Sequence, residues 1–315
     1  MDGAATLTRA QTSPAPWRRL LLRWAPYVIT AVVITALLHQ FPLSEIAQHV
    51  QEGDWLPVIA IAAFSVIVTL LLVAWADLLV IGGCCGEPSY ASMLSAKAGS
   101  SLLDVFGYVA GHGAYAIWIY RFTGVRAALA GGAMLYIMAS DLLSVCLVAS
   151  VAAFAAPAGE TESVRLLAPS IAAFLLLCIA LGPREILGRG LPVFKPWAVI
   201  PRRVGLVQVA IRTAHICFWV LATWSAAKAF GLDIPLWAMA TYFPLIMLVG
   251  SLPINVGGFG AVQGAWLLLA GHADPTQILA FNFVWTLVVS AALILRGLPF
   301  VRRVVQEVNG AEEAI

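Results

Sequence analysis

The sequence predicts an all-α polytopic membrane protein, with about six transmembrane helices plus two re-entrant helical hairpins in an inverted-topology repeat. Three observations predict it. Of 315 residues, 61% are hydrophobic and only 11% are charged, against about a quarter in soluble domains. The mean hydropathy is +0.92, and so few charges cannot cover the surface of a soluble chain of this size. Apolar runs of bilayer length recur along the chain, and two glycine-interrupted apolar regions match one another at a fixed spacing. Disordered, collagen-like and disulfide-scaffold classes are excluded. A large water-soluble catalytic domain is excluded too, because the longest stretch between spans is residues 182–203. The net charge of +2 gives no reason to expect a nucleic-acid partner.

A basic segment, residues 1–23, opens the chain with Arg9, Arg18, Arg19 and Arg23. Span one (24–41) has basic flanks and no small-x-small cleavage site after it, so it is expected to be retained rather than removed as a signal peptide. Span two covers 56–82, an interrupted region 90–120, and span three 127–156, which closes a first repeat of 24–156. Span four (164–181), span five (204–230), a second interrupted region (236–270) and span six (276–300) make a second repeat of 164–300, followed by a tail of 301–315.

Positive charge decides how the interrupted regions run. If each enters and leaves by one face, the N-terminal arginines share a side with Arg121 and Arg126, with Arg184, Arg189, Lys195, Arg202 and Arg203, and with Arg296, Arg302 and Arg303. The other side then holds Glu45, Glu52, Asp54, Glu160, Glu162, Asp233 and Asp274, with only Arg165 and Lys228 as cations. Were both regions full spans, the most basic loop would face outward, against the lysine/arginine bias that orients membrane proteins. The expectation is therefore two hairpins, with both termini cytoplasmic in a bacterial-type plasma membrane.

The hairpins carry the repeat. Val109-Ala-Gly-His-Gly-Ala114 matches Val256-Gly-Gly-Phe-Gly-Ala261 at an offset of 147 residues. The same offset pairs Pro88-Ser-Tyr-Ala91 with Pro235-Leu-Trp-Ala238, and Gly124 with Gly271. Each unit holds three spans, an odd number, so the second is inverted relative to the first, as in many transporters whose substrates bind at the midplane. Backbone that leaves helical geometry inside a bilayer must be buried in protein or line a wet cavity. A half-helix is expected to start after each turn, near Ala114 and Ala261. Its N-terminus is either a seat for an anion such as a phosphate or simply the end of a close helix packing that small residues permit.

Ionisable residues at membrane depth are costly and should face partners or water. They are Asp77, Lys97, Asp104, Asp141, Arg212 and His215, with His112 at the first turn. Asp77 and Lys97 each lie about six residues from the same face, roughly 9 Å deep at ~1.5 Å per residue, and form a candidate pair. Arg212 and His215 share one face of span five, and either Asp141 or Asp104 can pair with Arg212. Two readings stay open: ion pairs that fix helix register, or a polar pathway. In the second, Arg212 and Lys97 bind a headgroup phosphate while Asp77, Asp104, Asp141, His112 and His215 pair or relay protons. Gly111, His112, Gly113, Asn255, Gly257, Gly258, Gly260 and Gln263 at the two turns are the other candidate substrate contacts. Ser251, Asn255 and Gln263 suit satisfying loop backbone or touching a headgroup. Cys84, Cys85, Cys146, Cys178 and Cys217 include no CxxC and read as small apolar filler, with adjacent Cys84-Cys85 a weak redox or palmitoylation signal. No Walker A, GxSxG or HExxH motif occurs, and no cofactor or metal site is expected.

The stretch Ser251-Leu-Pro-Ile-Asn-Val-Gly-Gly-Phe-Gly-Ala-Val-Gln-Gly-Ala265, with Gly271, resembles the signature of the lysylphosphatidylglycerol synthase membrane-region family of flippase-like multispan proteins. Ala110-Gly-His-Gly-Ala114 followed by Tyr120-Arg-Phe-Thr-Gly124 is similar to its first-half counterpart. The chain departs from that pattern at Gln263 and His112, where acids are common, and lacks the Pro-x-Arg before the first glycine. The resemblance implies a flippase for anionic or aminoacylated phospholipid. Some family members carry a cytosolic aminoacyl-transferase domain, and with the chain ending shortly after span six that domain is expected to be absent. Two alternatives stay open: a non-catalytic partner of a separate lipid-modifying or glycosyl-transferring enzyme, and a lipid-headgroup transferase such as a phosphatidylglycerol lysyltransferase.

Overall fold

A computed structural model of the chain describes residues 16–157, 159–181, 191–256 and 258–313. Twelve α-helices lie among them: α1 (Pro16–Gln40), α2 (Leu43–Glu52), α3 (Trp55–Cys84), α4 (Tyr90–Asp104), α5 (Tyr108–Thr123), α6 (Ala127–Ala155), α7 (Glu162–Leu181), α8 (Lys195–Val199), α9 (Arg202–Ala229), α10 (Leu236–Ser251), α11 (Ala261–Trp266) and α12 (Pro275–Glu313). Helices α3, α6, α7, α9 and α12 are each long and apolar enough to cross a membrane. A sixth crossing is available if α1 and α2, bent by 83° at their junction, count as one broken span. The bend falls where Pro42 cannot continue the ladder of α1. Local chemistry sets other ends: Asp54 caps α3 through the Leu56 N–H, Ser89 caps α4 through the Ser92 N–H, and α5 stops at left-handed Gly124.

The outward faces are apolar. Leu56, Phe64, Val151, Leu166, Phe174 and Leu295 all project largely exposed from spanning helices, a surface that suits acyl chains and not water. Inside, two apolar cores form. One gathers α10, α12 and the ends of α3, α6 and α9 around Met239, Ile246 and Phe281. The other gathers α3, α4, α5, α6 and α7 around Ile81, Met93, Tyr115 and Ile137. Helix α9 packs along α3 and α6, and α12 packs along α4.

Both glycine-interrupted regions are broken helices, and they break differently. The first break is short, residues 105–107, with Gly107 at φ 148° ending α4 and starting α5. Gly111, His112 and Gly113 therefore lie in the first turns of α5. The expected helix start near Ala114 is corrected to Tyr108, because the positive φ falls at Gly107, ahead of the motif. The second break is long, residues 252–260, with Gly258 at φ 78° and Gly260 at φ 135°, and α11 starts at Ala261 as the sequence suggested. Arg9, Arg184, Arg189 and Gly257 lie outside the described residues.

Candidate substrate cavity

Five helices bring charge to one place. Arg212 of α9 forks between two carboxylates: one nitrogen donates to Asp141 Oδ1 of α6 at 2.8 Å, and the other donates to Asp77 Oδ1 of α3. Asp77 is fully buried, and its Oδ2 lies 3.9 Å from Lys97 Nζ of α4. Lys97 in turn sits 4.8 Å above the centre of the Tyr115 ring. The candidate pair Asp77 and Lys97 thus meets, and of the two candidate partners for Arg212 it is Asp141 that pairs. Asp104 instead approaches His112, 3.7 Å from its Nδ1. A side chain at Gly111 would collide with the Asp104 carboxylate, so the glycine there serves close approach of α5 to the end of α4.

These groups surround a cavity of about 650 Å³. Lys97, Asp104, His112, Asp141, Arg212 and His215 all line it, together with Leu, Met and Val side chains from both apolar cores. His215 is buried with its Nδ1 unpaired. Arg296 lines it as well. The sequence reading grouped Arg296 with the tail cations, but α12 runs on to Glu313 and holds it inside the bundle, where it donates to the Val66 carbonyl at 2.7 Å. A second, apolar space of about 250 Å³ opens beside the first. The two share Asp104, Trp219, Met247 and Leu293, and the smaller one is walled mainly by Phe243, Trp266 and Trp285.

The second break contributes differently from the first. Gly258 lines the aromatic space, whereas Asn255, Gly260 and Gln263 line neither. Asn255 Nδ2 donates to the Val249 carbonyl at 2.7 Å, and its Oδ1 accepts from the Val262 N–H at 3.0 Å. Gln263 is fully buried, accepting from the Gly260 N–H and donating to the Gly258 carbonyl. Both amides satisfy loop backbone, which is the first of the two roles the sequence left open. Gly113 lies exposed on α5, away from the break.

The chamber therefore places polar groups at one end and aromatic walls at the other. Such an arrangement has the chemistry to take an amphiphile, with hydrogen bonds and charge for a polar head and an apolar arm for a hydrocarbon tail. Among the described residues no cluster of three or more His, Cys, Asp or Glu side chains can hold a metal ion. No model of a known protein family matches the chain, and no curated protein matches it.

Proposed function

We propose that the chain moves phospholipid between the leaflets of a bacterial-type plasma membrane, with the headgroup crossing through the charged chamber. One observation carries this reading: a cavity of about 650 Å³ lined by seven Lys, Arg, His and Asp side chains within a bundle of apolar helices, beside an aromatic arm. Charges inside hydrocarbon are retained where they line a substrate path, and a phospholipid is the abundant membrane solute with both a charged head and a tail. The two broken helices support the reading: Asp104 and Tyr108, which flank the first break, line the charged cavity, as does Ser251 just before the second, while Gly258 within the second lines the aromatic space. In this scheme the broken pairs are re-entrant hairpins of two inverted halves, and both termini are cytoplasmic. The glycine signature that resembles the lysylphosphatidylglycerol synthase membrane region points the same way.

In proteoliposomes, fluorescent phospholipid in the inner leaflet should reach the outer one faster than in empty vesicles. Ala139→Trp puts an indole into the chamber from α6 and should return the rate to that of empty vesicles while the protein stays monodisperse. Rates equal to empty vesicles for every headgroup tried would sink the proposal. The topology has its own test in a cysteine-free background. Ser163→Cys should react with an impermeant maleimide on intact cells, and Arg202→Cys only after permeabilisation. With the N-terminus cytoplasmic, the reverse pattern would make the first broken helix a complete crossing.

A further inference from the structure

Not every charge of the chamber touches a counter-charge, and the two that do not describe a ligand. Lys97, Arg212, Asp77 and Asp141 form a neutral set in mutual contact. Two charges of opposite sign stay outside it. Arg296 donates to the Val66 carbonyl, but its Nε has no hydrogen-bond partner and it forms no ion pair among the described residues. Asp104 Oδ1 also lacks a hydrogen bond. Its nearest cationic neighbour is His112 Nδ1, and that nitrogen lies 3.0 Å from the Tyr108 carbonyl, to which it can only donate. With the imidazole so engaged, the charge that faces Asp104 is Arg296, across the chamber and beyond ion-pair distance, and the Asp104 side chain is 23% exposed toward the two spaces it lines.

A separated cation and anion inside a membrane protein are each expensive, and a ligand with the reciprocal pair of charges relieves both. Building on the lipid-moving reading above, we propose that the chamber takes a headgroup carrying one phosphate and one primary ammonium, the phosphatidylethanolamine class, with the phosphate on Arg296 and the ammonium on Asp104. A headgroup with a phosphate alone sets its charge against Asp104. A quaternary ammonium offers the carboxylate no N–H to accept. Because Asp104 also lines the aromatic space, a lipid whose ammonium sits there has an apolar wall beside it for one chain.

The test reads binding, using the tryptophan emission of the full-length protein in detergent, where Trp219 lines both spaces. Dihexanoyl phosphatidylethanolamine is titrated against the dihexanoyl glycerol and choline lipids and against free phosphoethanolamine. The ethanolamine lipid should bind about tenfold tighter than the other two lipids, the scale of one charge-assisted hydrogen bond. Arg296→Gln should weaken the ethanolamine and glycerol lipids alike. Asp104→Asn should erase the preference between them, while Asp104→Glu and Arg296→Lys keep it and show that the fold tolerates change at both positions. Equal or tighter binding of the glycerol or choline lipid, no binding of any headgroup, or an unchanged preference in Asp104→Asn overturns the assignment. Free phosphoethanolamine binding as well as the lipid would make the ligand a soluble one and overturn it too. Selective binding without leaflet exchange would leave this inference standing and sink the transport reading. Exchange that favours the glycerol lipid would do the opposite.

Discussion

Arg212→Ala is expected to cost about 3–5 kcal/mol of stability, because it strips the counter-charge from a buried carboxylate. Asp77 is fully enclosed and receives its hydrogen bond from Arg212, and the next cation, Lys97, is 3.9 Å from its other oxygen. Lys97 cannot move over without leaving Tyr115. Arg212→Lys is a poor substitute, since an ammonium does not reproduce the planar fork that reaches Asp77 and Asp141 together. Removing charge from both sides should recover much of the loss: Asp77→Asn with Arg212→Gln leaves no buried carboxylate without its cation at that point, and Asp141 keeps access to the cavity with 19% of its side chain exposed. The control is Lys228→Ala, which breaks a pair with Asp233 at 3.8 Å on the surface. Exposed pairs of that kind contribute about 0–1 kcal/mol. Melting in detergent should rank Arg212→Ala far below the double variant and Lys228→Ala beside the unmodified protein. If Arg212→Ala melts with Lys228→Ala, the buried network is not what joins α3, α4, α6 and α9.

The spans and part of that network were legible in the sequence for physical reasons. Hydropathy is a sum over many residues, so 56–82 and 127–156 anticipate Trp55–Cys84 and Ala127–Ala155 closely. Depth along a helix is simple arithmetic, and it brought Asp77 to the level of Lys97. Asp77 as a second partner of Arg212 was not legible, because it depends on how α9 is rotated against α3, which no periodicity reports when α3 is apolar all round. Arg296 was misplaced because a cation near the end of an apolar run reads as an interfacial anchor. The missed signal was the continuation of apolar residues past it, Val301, Val304 and Val305, which keeps α12 helical beyond the point where the hydropathy count stopped. At the second break the sequence supplied the right amides, Asn255 and Gln263. Which backbone groups they satisfy follows from the fold of the loop.

Gly113→Ala and Gly260→Ala should shift stability in opposite directions, although the two glycines match in sequence at the 147-residue offset. Gly113 is inside α5, and a Cβ there meets nothing within 4 Å. Alanine in that helix should stabilise by about 0.5–1 kcal/mol through helix propensity and reduced chain entropy in the unfolded state. Gly260 has φ 135°, a conformation that L side chains rarely adopt, and a Cβ would sit 2.7 Å from Thr30 Oγ1 and 3.0 Å from Asn255 Oδ1. Those two atoms hold the loop. The Thr30 hydroxyl reaches the Ile254 and Phe259 carbonyls at 3.3 Å each, and Asn255 accepts from Val262. Backbone strain of about 1–3 kcal/mol and the disturbance of bonds contributing about 1 kcal/mol apiece place Gly260→Ala near 3 kcal/mol of destabilisation. Paired melting curves in detergent decide it, and a shift of the same sign in both variants would refute the difference between the two breaks. The contrast has a structural cause. In the first half the left-handed step is confined to Gly107, so helix resumes at once and the motif glycine is free to become alanine. In the second half the unwinding extends to Gly260 itself, where α1 clamps the loop through Thr30, and the same added methyl must displace the residues that satisfy its backbone.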